Sequence, residues 1–439
     1  MTIATRIALI SEHASPLVES GAIDAGGQNV YVSHVARQLA ARGWLVDVFC
    51  RRDDAGQPVV INWYPGLRVI NVPAGPPERI PKEDLLPHMG AFMQWMREFI
   101  HHQAVSYDLI HANFFMSALV GVQLKQSLGI PLVVTFHALG GVRREHQRAA
   151  DRFPDERCAI EQLVMDQADA VIAECPQDLA DMRRLHDARP WRTHIVPCGF
   201  DASEFSPYAQ RGARHRLGMA ADEFSVLQLG RMVPRKGVDT VIESIGVLRH
   251  NFGIHASLYV VGGNARAVDT ANTPELAHLR AVAYEAGVDD QVYFVGQRNR
   301  HELADFYCAA DVFVTTPWYE PFGITSIEAM ACARPVIGAD VGGIRLTVQH
   351  ERTGFLVPPR NPLAVAERLA QLHDAPMLAR QMGEAGQARA AAHFTWAGVV
   401  DELIVVYSAV LADSEEAIDD EAGLRLRVPP ALAPLSARP

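Results

Sequence analysis

Along most of this chain, short continuous apolar runs alternate with stretches whose apolar positions recur every three or four residues. In the first half the short runs are Ile7–Ile10, Leu45–Cys50, Val69–Val72, Leu109–His111, Leu132–Phe136, Ala170–Ala173 and His194–Val196. Helical stretches such as Asn29–Arg42 and Phe92–His102 lie between most of them. Continuous apolar runs predict strands covered on both faces, and strands separated by helices predict a parallel sheet. The pattern then restarts, with strands at Val226–Leu229, Leu258–Val261, Val292–Val295, Val312–Thr315 and Pro335–Gly338. Helices are expected near Gly237–Arg249, Glu275–Glu285, Arg300–Ala309 and Ser326–Ala333. The reading is α/β: two Rossmann-like, doubly wound domains, residues 1–202 and 203–395, divided where Pro197–Ser206 breaks regularity. From Pro362 the chain is helical, and residues 396–412 are apolar enough to pack on another element. Residues 413–439, acidic and then rich in Pro and Ala, read as a disordered tail.

Charge changes this picture only by exclusion. The 439 residues are 49% hydrophobic and 21% charged, with a formal net charge of -11. An acidic chain lacks the basic excess of a nucleic-acid binder, although a local basic pocket for phosphate is compatible with it. The six cysteines form no C-x-x-C pair, which fits buried free thiols in a reducing cytoplasm. The N-terminus runs directly into a strand at Arg6-Ile-Ala-Leu-Ile10, so no signal peptide is expected. No apolar run reaches the ~18 residues of a membrane span. A cytoplasmic location is expected, with the oligomeric state left open.

In open parallel sheets, ligands sit beyond the carboxyl ends of strands, so two facing sheets create a cleft where two ligands meet. Four constellations fall at such places. Asp24-Ala-Gly-Gly-Gln-Asn29 precedes a helix; Gly26 and Gly27 let backbone approach a ligand, and the helix N-terminus suits phosphate. It also suits a plain tight turn, and it is neither a G-x-G-x-x-G fingerprint nor a P-loop. Val133-Val-Thr-Phe-His137 ends a buried strand on a histidine suited to a sugar hydroxyl, or to an ordinary strand terminus. In Leu229-Gly-Arg231-Met-Val-Pro-Arg-Lys236-Gly237, the Arg231 fork and the Lys236 point charge suit a diphosphate, while Arg235 reads as solvated. The fourth is Trp318-Tyr-Glu320-Pro-Phe-Gly-Ile-Thr-Ser-Ile-Glu328. Glu320 on its loop suits sugar hydroxyls, and Glu328, one turn into a helix, suits a ribose. Thr325-x-x-Glu328 is equally a capping-box pattern. Val260-Val-Gly-Gly263 and Val295-Gly-Gln-Arg298 end two further strands, as ligand approach or as punctuation.

At these residues the chain resembles family 4 of the retaining glycosyltransferases, with the GT-B architecture of two facing Rossmann-like domains. The likeness runs from about Arg6 to Leu411 and looks strongest to the sucrose-phosphate synthase, sucrose synthase and mycothiol-type group. It implies Gly26 and Gly27 near the donor phosphates, His137 beside the reacting sugar, and Arg231 and Lys236 on the diphosphate. Glu320 and Glu328 match the two glutamates of E-x7-E, for sugar and ribose. Phe322, Gly323 and Ile324 match the loop facing the donor, Val295 to Arg298 the nucleobase side, and Gly263 joins the donor set. Lys82, Arg157 and Asn29 fall on the acceptor side, with Arg143 and Arg144 adding charge. The C-terminal helix is implied to cross back onto the first domain. The implied reaction uses a nucleoside-diphosphate sugar, a UDP-sugar first, with no catalytic metal, no further cofactor and no protein nucleophile. Phe114 and Ala138 stand where mycothiol-type enzymes carry hydroxyls, which counts against an inositol phosphate acceptor. A hexose phosphate, a lipid or a glycan stays open.

Two other classes share the fold: a nucleotide-sugar epimerase and a non-catalytic nucleotide-sugar sensor. The set of Gly26, Gly27, Arg231, Lys236, Glu320 and Glu328 favours transfer over the first. A sensor is expected to lose His137 or Lys236, and both are present.

Overall fold

The computed structural model describes residues 4–18, 26–263, 265–266 and 273–426. The first sheet has strands β1 (Arg6–Ile10), β2 (Leu45–Arg51), β3 (Val60–Tyr64), β4 (Leu67–Val72), β5 (Leu109–Asn113), β6 (Leu132–Thr135), β7 (Ala170–Ala173) and β8 (Thr193–Ile195). Its order is β3-β4-β2-β1-β5-β6-β7-β8. All neighbours are parallel except β3, which runs antiparallel to β4. The second sheet contains β9 (Ser225–Leu229), β10 (Ser257–Val261), β11 (Val292–Gly296), β12 (Val312–Thr315), β13 (Val336–Ala339) and β14 (Gly354–Val357). These are parallel in the order β11-β10-β9-β12-β13-β14. The expected pair of doubly wound domains is therefore present. Fully buried runs such as Leu132–Thr135 and Val312–Thr315 explain why: helices cover both faces, so almost every side chain is apolar, and Thr135 is bonded to His111.

Two strands escaped the apolar reading. Edge strand β3 has no fully buried residue and is held by its hairpin with β4 and by Ile61 and Trp63, which pack against the core from its edge. β14 opens on Gly354, whose φ of +156° and contact with the Val336 carbonyl exclude a side chain.

The chain returns to the first domain through the helix Trp396–Leu426. Trp396, Val399, Leu403, Val406, Tyr407 and Val410 join one buried cluster with Tyr31, Val32, Val35 and Leu39 of the helix Gly27–Ala41. Tyr407 Oη lies 2.7 Å from His111 Nδ1 inside the domain, and Arg42 Nε donates to Asp401 Oδ1 at 2.9 Å. The helix runs past Leu411, where the sequence reading ends it, to Leu426. Ala, Glu and Leu are good helix formers, and the first proline beyond them is Pro429. The rest of the expected tail, residues 427–439, lies outside the described residues. Among the described residues no helix is long and apolar enough to cross a membrane.

Each sheet has one place where its strand order reverses: between β1 and β5, and between β9 and β12. Crevices at such switch points are where open α/β sheets bind ligands.

Candidate active site between the two sheets

Loops from both switch points wall one cavity of about 220 Å³. The first domain contributes His13, Gly26, Gly27, Asn29, Lys82, Phe114 and His137; the second contributes Arg231, Arg235, Lys236, Glu320, Phe322, Gly323 and Ile324. Most of the residues picked out in the sequence thus meet here. Asp24 and Ala25, the start of the glycine loop, lie outside the described residues.

His137, two residues past the end of β6, has a φ of +60°, a strained conformation for a residue with a side chain. Its ring is fixed from three sides. Nδ1 lies 2.8 Å from Glu174 Oε1, Nε2 lies 3.0 Å from Asn113 Oδ1, and the Tyr31 ring meets it edge-on at 4.8 Å. Asn113 turns its amide nitrogen toward the carbonyls of Ile10 and His111, which leaves Oδ1 for the histidine. Phe114, the next residue after β5, also has positive φ, at +81°. Glu174 and Asn113 were missed in the sequence. Both sit at or just past strand ends, so the strand-end rule that singled out His137 also applies to them.

On the other wall, Lys236 Nζ donates to Glu320 Oε2, and Arg235 Nη1 stands 3.9 Å from the same oxygen. Arg235, read as solvated, is instead held over the Tyr319 ring at 5.2 Å and faces the cavity. Burial by itself pushes the Glu320 carboxyl up, but Lys236, Arg235 and Arg231 outweigh it and hold it below the usual carboxylate range. Burial lowers the Lys236 ammonium, and Arg235 and Arg231 add to that against the opposing Glu320. Burial is the largest influence on Lys236, and the neighbouring arginines push both partners of the pair the same way, downward. Lys236, Arg235 and Arg231 cluster about Glu320, and such a basic cluster is suited to an anion.

Close backbone contacts fix the wall. Gly237, at φ +64°, is so near β12 that a Cβ there would stand 2.0 Å from the Thr316 carbonyl oxygen. Thr316 Oγ1 donates to the Gly237 carbonyl at 2.7 Å, and Trp318 N donates to the Arg235 carbonyl at 2.9 Å. Gly343 N donates to the Glu320 carbonyl, and a Cβ on Gly343 would come within 2.3 Å of the Phe322 backbone. The loop also touches the first domain: Cys175 Sγ donates to the Pro321 carbonyl at 3.3 Å, and Tyr319 stacks on His146 at 4.9 Å.

Five expected site residues do not line the cavity. Gly263, Val295 and Arg298 stand at the ends of β10 and β11, beyond its walls. Glu328 is 2% exposed, in the helix Ile324–Ala331, where Tyr307 Oη donates to Oε2 at 2.9 Å and Arg300 Nη1 lies 2.9 Å from Oε1. The capping-box account of Glu328 does not hold: Gly323 is the N-cap, with no side-chain cap bond. Arg157 needs a correction. It is wholly buried, with Nε on Glu161, Nη2 on the Ala138 carbonyl, and Phe114, Phe115 and Phe153 around its guanidinium at 4.6–4.8 Å. It braces the floor behind Ala138 and does not touch an acceptor in this arrangement. Asn29 lines the cavity, but its amide is committed: Oδ1 accepts from Gly26 N at 2.9 Å and Nδ2 donates to the Ser15 carbonyl at 3.0 Å. Lys82 borders both the main cavity and a smaller one of about 70 Å³, which Arg79, His13 and Asn29 also line.

Comparison with known proteins points the same way. The sequence profile for glycosyl transferases group 1 matches residues 210–389, and that for a glycosyl transferase 4-like domain matches residues 26–199. The chain is 36% identical to D-inositol 3-phosphate glycosyltransferase 2 of Catenulispora acidiphila over 93% of its own length and 96% of the relative's. It is 35% identical to D-inositol 3-phosphate glycosyltransferase of Corynebacterium diphtheriae, covering 92% and 94%. Among solved structures, sucrose-phosphate synthase from Thermosynechococcus elongatus superposes with a TM-score of 0.85 at 35% identity, covering 93% of this chain and 100% of the other.

Proposed function

The chain belongs to the glycosyl transferases group 1 and is a glycosyltransferase of the GT-B type, and from that premise we propose its reaction: transfer of a hexosyl group from a UDP-sugar to a hydroxyl of a sugar phosphate, with retention at the anomeric carbon. The observation that carries the reading is the positive wall of Arg231, Arg235 and Lys236 around Glu320, set across the cavity from His137.

In this reading the diphosphate lies against the three cations and Glu320 accepts hydrogen bonds from the donor's hexose. The bond from the anomeric carbon to the β-phosphate oxygen breaks as the acceptor oxygen bonds to the same face of that carbon. The acceptor proton passes to the departing phosphate oxygen. Fixed cations in a dry cleft stabilise the charge developing on the diphosphate, which is the service a metal performs in other transferases. His137, held by Glu174 and Asn113, lies beside the reacting sugar. Glu328 takes the ribose side, and Gly263, Val295, Arg298 and the Phe322–Ile324 loop the remainder of the donor.

The acceptor reading rests on Lys82 and Arg79 beside the smaller cavity and on the phosphorylated acceptor named for the inositol 3-phosphate relatives. Phe114 and Ala138 wall the cleft without hydroxyls, so we place a hexose phosphate ahead of inositol phosphate. The test is nucleotide release in EDTA from UDP-, GDP- and ADP-sugars, with and without fructose 6-phosphate, other sugar phosphates and inositol phosphate. Release of UDP only with a hexose phosphate is expected. UDP binding with no release for any phosphorylated acceptor refutes the acceptor assignment, and loss of all turnover in EDTA refutes metal independence.

A further inference from the structure

The chain crosses between the domains twice, and the two crossings lie side by side. Phe200 N donates to the Phe394 carbonyl at 2.8 Å and Trp396 N to the Phe200 carbonyl at 3.2 Å. A Cβ on Gly199 would stand 2.7 Å from Trp396 N, so the two segments are in backbone contact. Two acidic residues of the outgoing crossing lie with His34 within 4.8 Å of one another and reach partners in both domains. Asp201 Oδ2 lies 3.8 Å from His34 Nδ1 of the first domain, and Glu204 accepts from Arg300 Nε of the second.

Arg300 lies between the crossing and the interior of the second domain. Its guanidinium covers the Phe205 ring at 4.8 Å, and Nη1 reaches Glu328 Oε1 at 2.9 Å. Two carboxylates therefore share one cation. Glu328 Oε1 is held in this close ion pair, while the buried Arg300 Nη2 has no hydrogen-bond partner. Burial pushes the Glu328 carboxyl up, against the pull of Arg300 and Tyr307. Tyr307 Oη and Arg300 Nη1 take one oxygen each, so these two partners set the orientation of the Glu328 carboxylate.

We propose that Arg300 is a positioning residue for the donor: it orients Glu328 toward the ribose, and Glu204 on the interdomain crossing holds Arg300 in place. This rests on the reading of Glu328 as the ribose-side carboxylate. The crossing thereby acts on donor affinity through one guanidinium, although Glu204 touches no substrate.

The test is the Kd of UDP, measured by titration calorimetry, for the full chain and for Glu328→Gln, Arg300→Lys, Arg300→Ala and Glu204→Gln, with acceptor KM and kcat at saturating donor. Arg300→Ala is expected to weaken UDP binding about tenfold or more, with Arg300→Lys recovering part of it by restoring the charge without the fork. Glu204→Gln is expected to weaken it about threefold or more, leaving acceptor KM within twofold. A merely structural role lowers kcat and raises both KM values together. UDP affinities of Arg300→Lys and Glu204→Gln within 1.5-fold of the unaltered chain, with Glu328→Gln impaired, overturn the coupling alone. An unimpaired Glu328→Gln removes the ribose assignment itself, and the coupling with it.

Discussion

Replacing Lys236 with alanine removes the cation that Glu320 binds most closely and one of the three that make the second wall positive. The remaining nearby charges on Glu320 are Arg235, 3.9 Å away, and Arg231, so the carboxylate keeps weaker partners. Removing one preorganised donor from a developing anion costs about 3–4 kcal/mol of barrier. At about 1.4 kcal/mol per factor of ten, turnover falls by roughly 10² to 10³. Breaking a fully buried ion pair costs ~3–5 kcal/mol of stability. Here the two side chains keep 16% and 12% of their exposure and Arg235 compensates in part, which brings the loss to about 1–2 kcal/mol. The melting temperature should then drop by only about 2–8 °C. Steady-state UDP release and thermal unfolding measure the two effects on one preparation. The double variant with Glu320→Ala should recover much of the stability, because no unpaired carboxylate remains, and none of the turnover. Turnover of Lys236→Ala within about threefold of the unaltered enzyme refutes the diphosphate assignment.

Glu320→Ala should raise the KM for the UDP-sugar at least tenfold while the Kd of UDP itself moves less than threefold; equal losses for both remove Glu320 from the hexose side. Gly343→Ala forces a Cβ into the Phe322 backbone, so it should cost more than 100-fold in turnover by displacing the 320–323 loop, and an active variant contradicts that close fit. Asp178 accepts from Glu174 N at 3.0 Å, and burial, with the neighbouring Glu174 charge, pushes its carboxyl up to about 8. A raised carboxyl contributes stability that is full below its unfolded value near 4 and is lost as pH rises toward 8. Asp178→Asn should therefore unfold at higher temperature at pH 8, by an amount that vanishes toward pH 4; a gain of equal size at both pH values shows that protonation is not the cause.

Local pattern made most of the scaffold readable. Val312–Thr315 and Ala170–Ala173 are strands with the boundaries the apolar runs predict, because burial on both faces selects a nearly unbroken apolar run. His137, Lys236 and Glu320 were readable because chemistry at strand ends interrupts such runs. Partners far apart in the chain were not. Nothing near Glu174 in sequence points to a histidine 37 residues away, and Arg235 looks like any basic turn until the β12 loop brings Tyr319 and Glu320 against it. Arg157 shows the reverse case: a basic residue read as an acceptor contact is enclosed by the adjacent Phe114 and Phe115 and by Phe153.

The return of the last helix to the first domain sets an order of events during synthesis. The face made by Tyr31, Val32, Val35 and Leu39 leaves the ribosome early, yet the residues that cover it, from Trp396 to Val410, are translated after the whole second domain. At ~5–20 residues per second, the second domain alone, roughly 190 residues, takes on the order of 10–40 s after the first domain is made. For that interval the nascent first domain carries an open apolar face, which makes it a client for holding chaperones. A ribosome stalled anywhere between residues 203 and 395 releases a fragment whose first domain remains sticky however well its sheet has formed.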